Sequence, residues 1–127
     1  MFEVEIDLSR FAELGKKLDY LPTGAIAKLI LQSIEQNFDE EGRPTPWAPR
    51  VDPGDGHPLL KDTGALFHSL FYNIDRGSDD IVIDFESGMP YAGYLDQGTE
   101  KMVARPFFLV QDEDINEIEE ILAKHFV

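Results

Sequence analysis

FYNIDRGSDDIVIDFE, residues 71–86, is the stretch on which the fold turns. Ile81, Ile83 and Phe85 alternate with Val82, Asp84 and Glu86, the two-residue period of a strand with one face buried and the other largely wet. Phe71 to Arg76 ahead of it reads as a second strand, and Gly77-Ser78 between the two is turn chemistry, so the pair predicts an antiparallel hairpin.

Outward from the hairpin, Phe2, Val4 and Ile6 alternate with Glu3, Glu5 and Asp7, which predicts a half-buried strand at a sheet edge. Ser9 can cap a helix in which Phe11, Leu14, Leu18 and Leu21 recur at helical spacing, although Gly15 weakens it and Pro22 breaks or kinks it. From Gly24 a broader apolar stripe of Ile26, Leu29, Ile30, Ile34 and Phe38 runs to Asp39-Glu40-Glu41-Gly42, where it stops. One bent helix or two both satisfy this spacing. Asp62 or Thr63 can cap a short helix carrying Leu66, Phe67 and Leu70. Asp112 can cap a last helix along Ile115, Ile118, Leu122 and Phe126, with Asp112, Glu113 and Asp114 at the positive end of its dipole and Lys124 and His125 at the other. These elements predict an α+β fold over residues 1–127 as a single domain: a small antiparallel-biased sheet packed against helices, with a long N-terminal helical segment and a C-terminal helix.

Composition bounds the function. At 127 residues, 43% apolar and 11% aromatic, the chain has material for one real core. It contains no cysteine, which removes disulfides, thiol catalysis and Cys-based zinc sites and suits folding in a reducing cytoplasm. No apolar run approaches the roughly 20 residues of a membrane span, and the acidic start MFEVEID is unlike a signal peptide, so synthesis in the cytosol is expected. Asp and Glu number 25 against 11 Lys and Arg, a formal net charge of -14. Such a surface repels phosphate backbones and argues against a protein that grips nucleic acid; the charge either serves solubility or forms an acidic wall that lets DNA pass without sticking.

Two further stretches are singular. Residues 43–58 hold five of the eight prolines together with Gly54 and Gly56, a loop or arm with no period, anchored by Trp47. Residues 91–108, YAGYLDQGTEKMVARPFF, read as a short helix with Tyr91, Tyr94 and Leu95 on its apolar face, a left-handed stop at Gly98, a short extended strand over Met102, Val103 and Ala104, and a turn at Arg105-Pro106. Arg105 lies among apolar neighbours, and a partly buried guanidinium must find carboxylates or carbonyls.

These residues carry a resemblance. Tyr91-Ala92, Gln97-Gly98-Thr99 and Ala104-Arg105-Pro106-Phe107-Phe108 resemble the YA…QxGT…ARPF signature of the phage virion morphogenesis (tail completion) family of Mu-like and related tailed phages. Leu60 to Ser69, with Thr63, Gly64 and Leu66, is similar to that family's LxxTGxLxxS block, and Gly42-Arg43-Pro44 with Trp47 to its GRPW segment, from which this chain departs by inserting Thr45-Pro46. The resemblance implies a structural, non-enzymatic virion protein of the tail or neck, assembled in the host cytoplasm. It would act in tail completion or head-tail joining as a homo-oligomeric ring among other tail or neck proteins, with DNA passing through its channel. Trp47, Thr63, Gly64, Leu66, Tyr91, Gly98, Thr99, Arg105, Pro106 and Phe107 become the candidates for structural or subunit-contact roles.

No constellation points to a cofactor, a metal or a catalytic group. His57, His68 and His125 lack the i, i+4 spacing of a helical metal site. Ser69 adjoins His68, which on a helix turns the two apart, and Gly64, Gly88, Gly93 and Gly98 form no phosphate cradle. Asp52, Asp55 and His57 are the best cation candidates, in a proline-glycine turn that misses the EF-hand spacing. They define the alternative reading, a small metal-dependent hydrolase or nuclease of a mobile element; a cellular protein-binding adaptor is a third.

Overall fold

The structure, a computed structural model, describes residues 2–8, 21–49, 60, 64–77 and 80–125. In chain order the elements are β1 (Phe2–Asp7), α1 (Thr23–Asp39), α2 (Ala65–His68), β2 (Leu70–Arg76), β3 (Asp80–Ser87), α3 (Ala92–Gln97) and α4 (Asp112–His125). The class is α+β, as the element pattern predicts.

The three strands form one open antiparallel sheet in the order β1-β3-β2. The hairpin pairs Tyr72 with Phe85 and Ile74 with Ile83, and β1 pairs Val4 with Ile83 and Ile6 with Ile81, so the three alternations share one face. On that face Ile81, Ile83 and Phe85 are buried, flanked by half-buried Phe2, Val4 and Ile6 from β1 and Leu70, Tyr72 and Ile74 from β2. β1 is an edge strand, as its half-wet pattern implies, because a central strand needs burial of the kind only β3 shows.

α1 covers this face. Ile26, Ala27, Ile30, Ile34 and Phe38 are buried and recur every three or four residues, which places them on one stripe of the helix. The helix does not continue backward, since Leu21 and Pro22 are non-helical. The expected helix through Phe11, Leu14 and Leu18 lies outside the described residues, so the long N-terminal helical segment is not shown beyond the 17 residues of α1. At its C-terminus the Gly42 N–H donates to the Asn37 carbonyl at 2.8 Å and the Glu41 N–H to the Phe38 carbonyl at 3.2 Å, the paired bonds of a Schellman stop. Glu41 and Gly42 both take positive φ, 54° and 110°. At Gly42 a side chain has no room, because a Cβ there would lie 2.6 Å from the Trp47 nitrogen.

Four sequence expectations are corrected. Leu70 opens β2 rather than closing α2, whose N-cap is Gly64 at φ 80°; Asp62 and Thr63 lie outside the described residues. In α3 it is Ala92 that is buried, with Leu95 half-buried, while Tyr91 and Tyr94 are 44% and 62% exposed. Six residues are too short a helix to bury every apolar side chain, and these rings are left in solvent. Met102 to Ala104 is no strand: Thr99 and Met102 make an isolated two-residue bridge, and among the described residues no neighbouring strand offers a ladder. Asp112 does not cap α4; instead Asp114 reaches back, its Oδ2 accepting the Gln111 N–H at 2.8 Å in the manner of a capping box.

Candidate functional site

The signature-like stretches of the sequence meet where the end of α1, the turn after it and residues 105–111 come together. Asn37 is fully buried on α1. Its Nδ2 donates to the carbonyls of Phe107 at 2.7 Å and Leu109 at 3.1 Å, while its Oδ1 accepts from Arg43 Nε at 2.9 Å. Both amide hydrogens are thereby used to hold an irregular segment that lacks a sheet partner for its carbonyls.

Arg43 is the most enclosed cation of this region, its side chain about 10% exposed. Nη2 donates to both the carbonyl and the Oγ of Ser33 at 2.7 Å, and Nη1 lies 3.6 Å from Glu113 Oε1 on α4. Ser33 Oγ in turn donates to Asp114 Oδ2 at 2.5 Å, and Gln111 Nε2 donates to the Arg43 carbonyl at 3.3 Å. Acidic residues at the start of α4 therefore do two jobs: they suit the helix dipole and they balance the charge of Arg43.

Trp47 seals the same seam. Its indole Nε1 donates to the Pro106 carbonyl at 2.8 Å, and its ring stands edge-on to Phe38 at 5.7 Å. Phe38 also meets Phe107 at 5.0 Å and Phe67 at 5.5 Å, and Phe107 packs on Phe108, which stacks on Phe2 of β1. The backbone N–H groups of Phe107 and Phe108 both donate to Asp96 Oδ1 of α3, at 2.9 and 3.0 Å. Phe107 is thus fixed by its ring, its N–H and its carbonyl at once.

Arg105 is a carbonyl clamp. Nε donates to the Ala48 carbonyl at 3.0 Å and Nη2 reaches the Pro49 carbonyl at 3.4 Å, while its own N–H donates to the Leu95 carbonyl at 3.0 Å. Gly98 has φ 78° with an extended ψ of 173°, so it ends α3 without adopting the left-handed helical shape expected of it. A Cβ there would sit 2.7 Å from the Ala104 nitrogen. Thr99 is exposed and shapes the adjoining turn, its Oγ1 accepting the Lys101 N–H at 3.2 Å. Leu66 is buried in the core, Pro106 is half-buried, and Gly64 lets the chain enter α2.

The structure thus brings Trp47, Arg105, Pro106 and Phe107 into one seam, with Gly98 and Thr99 in the turn that leads to it. Leu66 joins through the core, and Tyr91 stays outside. The buried Ser33 and Asn37 and the half-buried Arg43 and Asp96 have no place among the sequence candidates. Their signal was Ser33 and Asn37, two polar residues at i, i+4 flanking an otherwise apolar stripe.

Chemically, the described side chains of this seam position backbone. Among the described residues no group of three or more His, Asp or Glu could hold a metal ion, and Asp52, Asp55 and His57 lie outside them. No helix among the described residues is long and apolar enough to cross a membrane. Beside the seam, Tyr91, Tyr94, Met102, Val103 and Leu109 present apolar surface to solvent. Comparison with protein-family models, with curated proteins and with solved structures gives no match.

Proposed function

We propose that the protein is a structural, non-enzymatic component of a tailed-phage virion, acting in tail completion or head-tail joining as a homo-oligomeric ring. The observation that carries this reading is the Trp47–Pro106 hydrogen bond. It joins the GRPW-like segment to the ARPF-like one, so stretches that resemble a family pattern in sequence also form one structural unit. A chance likeness scattered over the chain would have no reason to do so.

The mechanism is binding and geometry. A rigid seam sets the position of the exposed Tyr94, Met102 and Val103, which become the apolar contact to a neighbouring subunit, and the other tail or neck proteins meet the loops. The net charge of -14 keeps a ring channel free of bound DNA. The ring would assemble in the host cytoplasm and end in the tail or neck of the virion.

Native mass spectrometry and electron microscopy of the purified protein, alone and mixed with tail proteins of its own phage, test this. Closed rings of one copy number are expected. A strict monomer at every protein and salt concentration, with the tail present, overturns the ring.

A further inference from the structure

β1 pairs with β3 on one side only, and among the described residues no strand lies on its other edge. A groove of about 370 Å³ runs along β1, floored by Val4, Ile6 and Val110 and walled by Ile115, Ile118 and Leu122 of α4. None of the residues of α4 is fully buried and Ile115 is 43% exposed, so the helix leaves part of its apolar face uncovered above this groove. Among the described residues the rim has one sign of charge. Glu5 and Glu119 line the groove, Glu3 and Glu5 are exposed on the outer face of β1, and Glu3 lies opposite Asp84 on β3.

We propose that this groove is a docking site for an extended segment of a partner protein in which apolar residues alternate with lysine or arginine. A segment adding to β1 as a fourth strand would turn its side chains alternately to the two sheet faces. One set enters the groove against Ile118 and Leu122. The other set stands beside Glu3 and Glu5, where cations relieve the repulsion between Glu3 and Asp84 and anions increase it. Charge selects the occupant. A second copy would bring its own FEVEID strand, setting glutamate against glutamate across the new pair, whereas a basic-apolar segment satisfies the edge, the floor and the rim together. Glutamates on an edge strand also discourage promiscuous pairing, which narrows the choice to a basic partner. The inference rests on β1 and α4 and is independent of ring formation.

The test titrates three synthetic peptides into the isotopically labelled full chain: one alternating valine and lysine, one alternating valine and glutamate, and one with the valines and lysines of the first in separate blocks. Binding is read by calorimetry and by amide shifts and hydrogen exchange. The alternating valine-lysine peptide is expected to bind at least about tenfold more tightly than the other two, as charge complementarity and strand register each require. It should slow exchange of β1 amides and shift the resonances of Ile115, Ile118 and Leu122. Ile118→Asp should abolish binding with β1–β3 pairing intact, and Glu3→Lys with Glu5→Lys should reverse the preference towards the valine-glutamate peptide. Four results overturn the proposal: no binding at millimolar peptide, equal binding of the blocked peptide, shifts confined to residues away from β1 and α4, or β1 amides on the free edge already protected in the unliganded monomer.

Discussion

Asn37 Oδ1 accepts the Nε–H of Arg43 at 2.9 Å while Asn37 Nδ2 spans the carbonyls of Phe107 and Leu109. One buried amide therefore ties the end of α1 to a segment 70 and 72 residues further along the chain. Asn37→Asp keeps the acceptor for Arg43 and removes both donors, leaving a buried carboxylate facing two carbonyls. We expect it to cost about 2–4 kcal/mol, at least as much as Asn37→Ala, because an unsatisfied buried polar group is penalised more than a missing one. Urea unfolding of the two variants measures this; an unchanged midpoint for Asn37→Asp would refute it.

The two arginines of the seam should separate. Arg43 is enclosed and meets a carbonyl, a hydroxyl, an amide oxygen and two carboxylates, whereas Arg105 is half-buried and holds carbonyls alone. Arg43→Ala should lose about 3 kcal/mol and Arg105→Ala about 1 kcal/mol. Lysine should rescue each only in part, since it lacks the planar fork. Thermal and denaturant melts of the four variants decide the order, and equal losses at the two sites would contradict it.

Trp47→Phe keeps most of the edge-on packing against Phe38 but leaves the Pro106 carbonyl without its donor. A loss of about 1 kcal/mol is expected, against about 3–5 kcal/mol for Trp47→Ala, which opens a cavity as well. If Trp47→Phe were as damaging as Trp47→Ala, the hydrogen bond would outweigh the ring.

Two kinds of glycine stand out among the described residues. Gly42 and Gly98 combine positive φ with a Cβ position under 3 Å from backbone atoms, and alanine at either should cost about 2 kcal/mol or more. Gly93, inside α3 with nothing within 4 Å of its Cβ position, should gain up to about 1 kcal/mol as alanine. Opposite signs in one set of melts are the expected outcome. A destabilising Gly93→Ala would show that α3 is constrained by something besides its own helix.

The proposed ring would assemble against charge. Bringing together subunits of net charge -14 costs Coulomb energy that salt screens, with a screening length of about 10 Å at 0.1 M. Light scattering should show the larger species growing as salt rises from low to moderate. Dissolution by salt would mean that the subunits meet through complementary charges, and Tyr94, Met102 and Val103 would lose their assigned role.

The sheet was legible because period-two alternation reports on one-sided burial wherever a strand lies, and FEVEID and DIVIDFE both carry it. α1 was legible for the same reason at helical period. The seam was not. Arg43 sits in a proline-rich turn with no period, and its environment comes from Ser33, Asn37 and Glu113, whose approach depends on how α4 returns to α1. Arg105 drew notice from its apolar neighbours in sequence, yet local composition carries no information on which distant carbonyls, here those of Ala48 and Pro49, will face it. Tyr91 and Tyr94 failed differently: their spacing fits a helix face, but α3 is only six residues long and of that face only Leu95 packs against the core among the described residues.

The pairing of Phe2 with Phe85 joins the first described strand of the chain to the last. β1 is made well before β3, whereas β2 and β3 adjoin in sequence and can zip together as soon as Ser87 has emerged from the ribosome. The earlier strand is thus the one that waits for its partner, with Phe2, Val4 and Ile6 unpaired in the interval. Charge interleaved as Glu3 and Glu5 are would disfavour edge-to-edge pairing of two such strands over that wait.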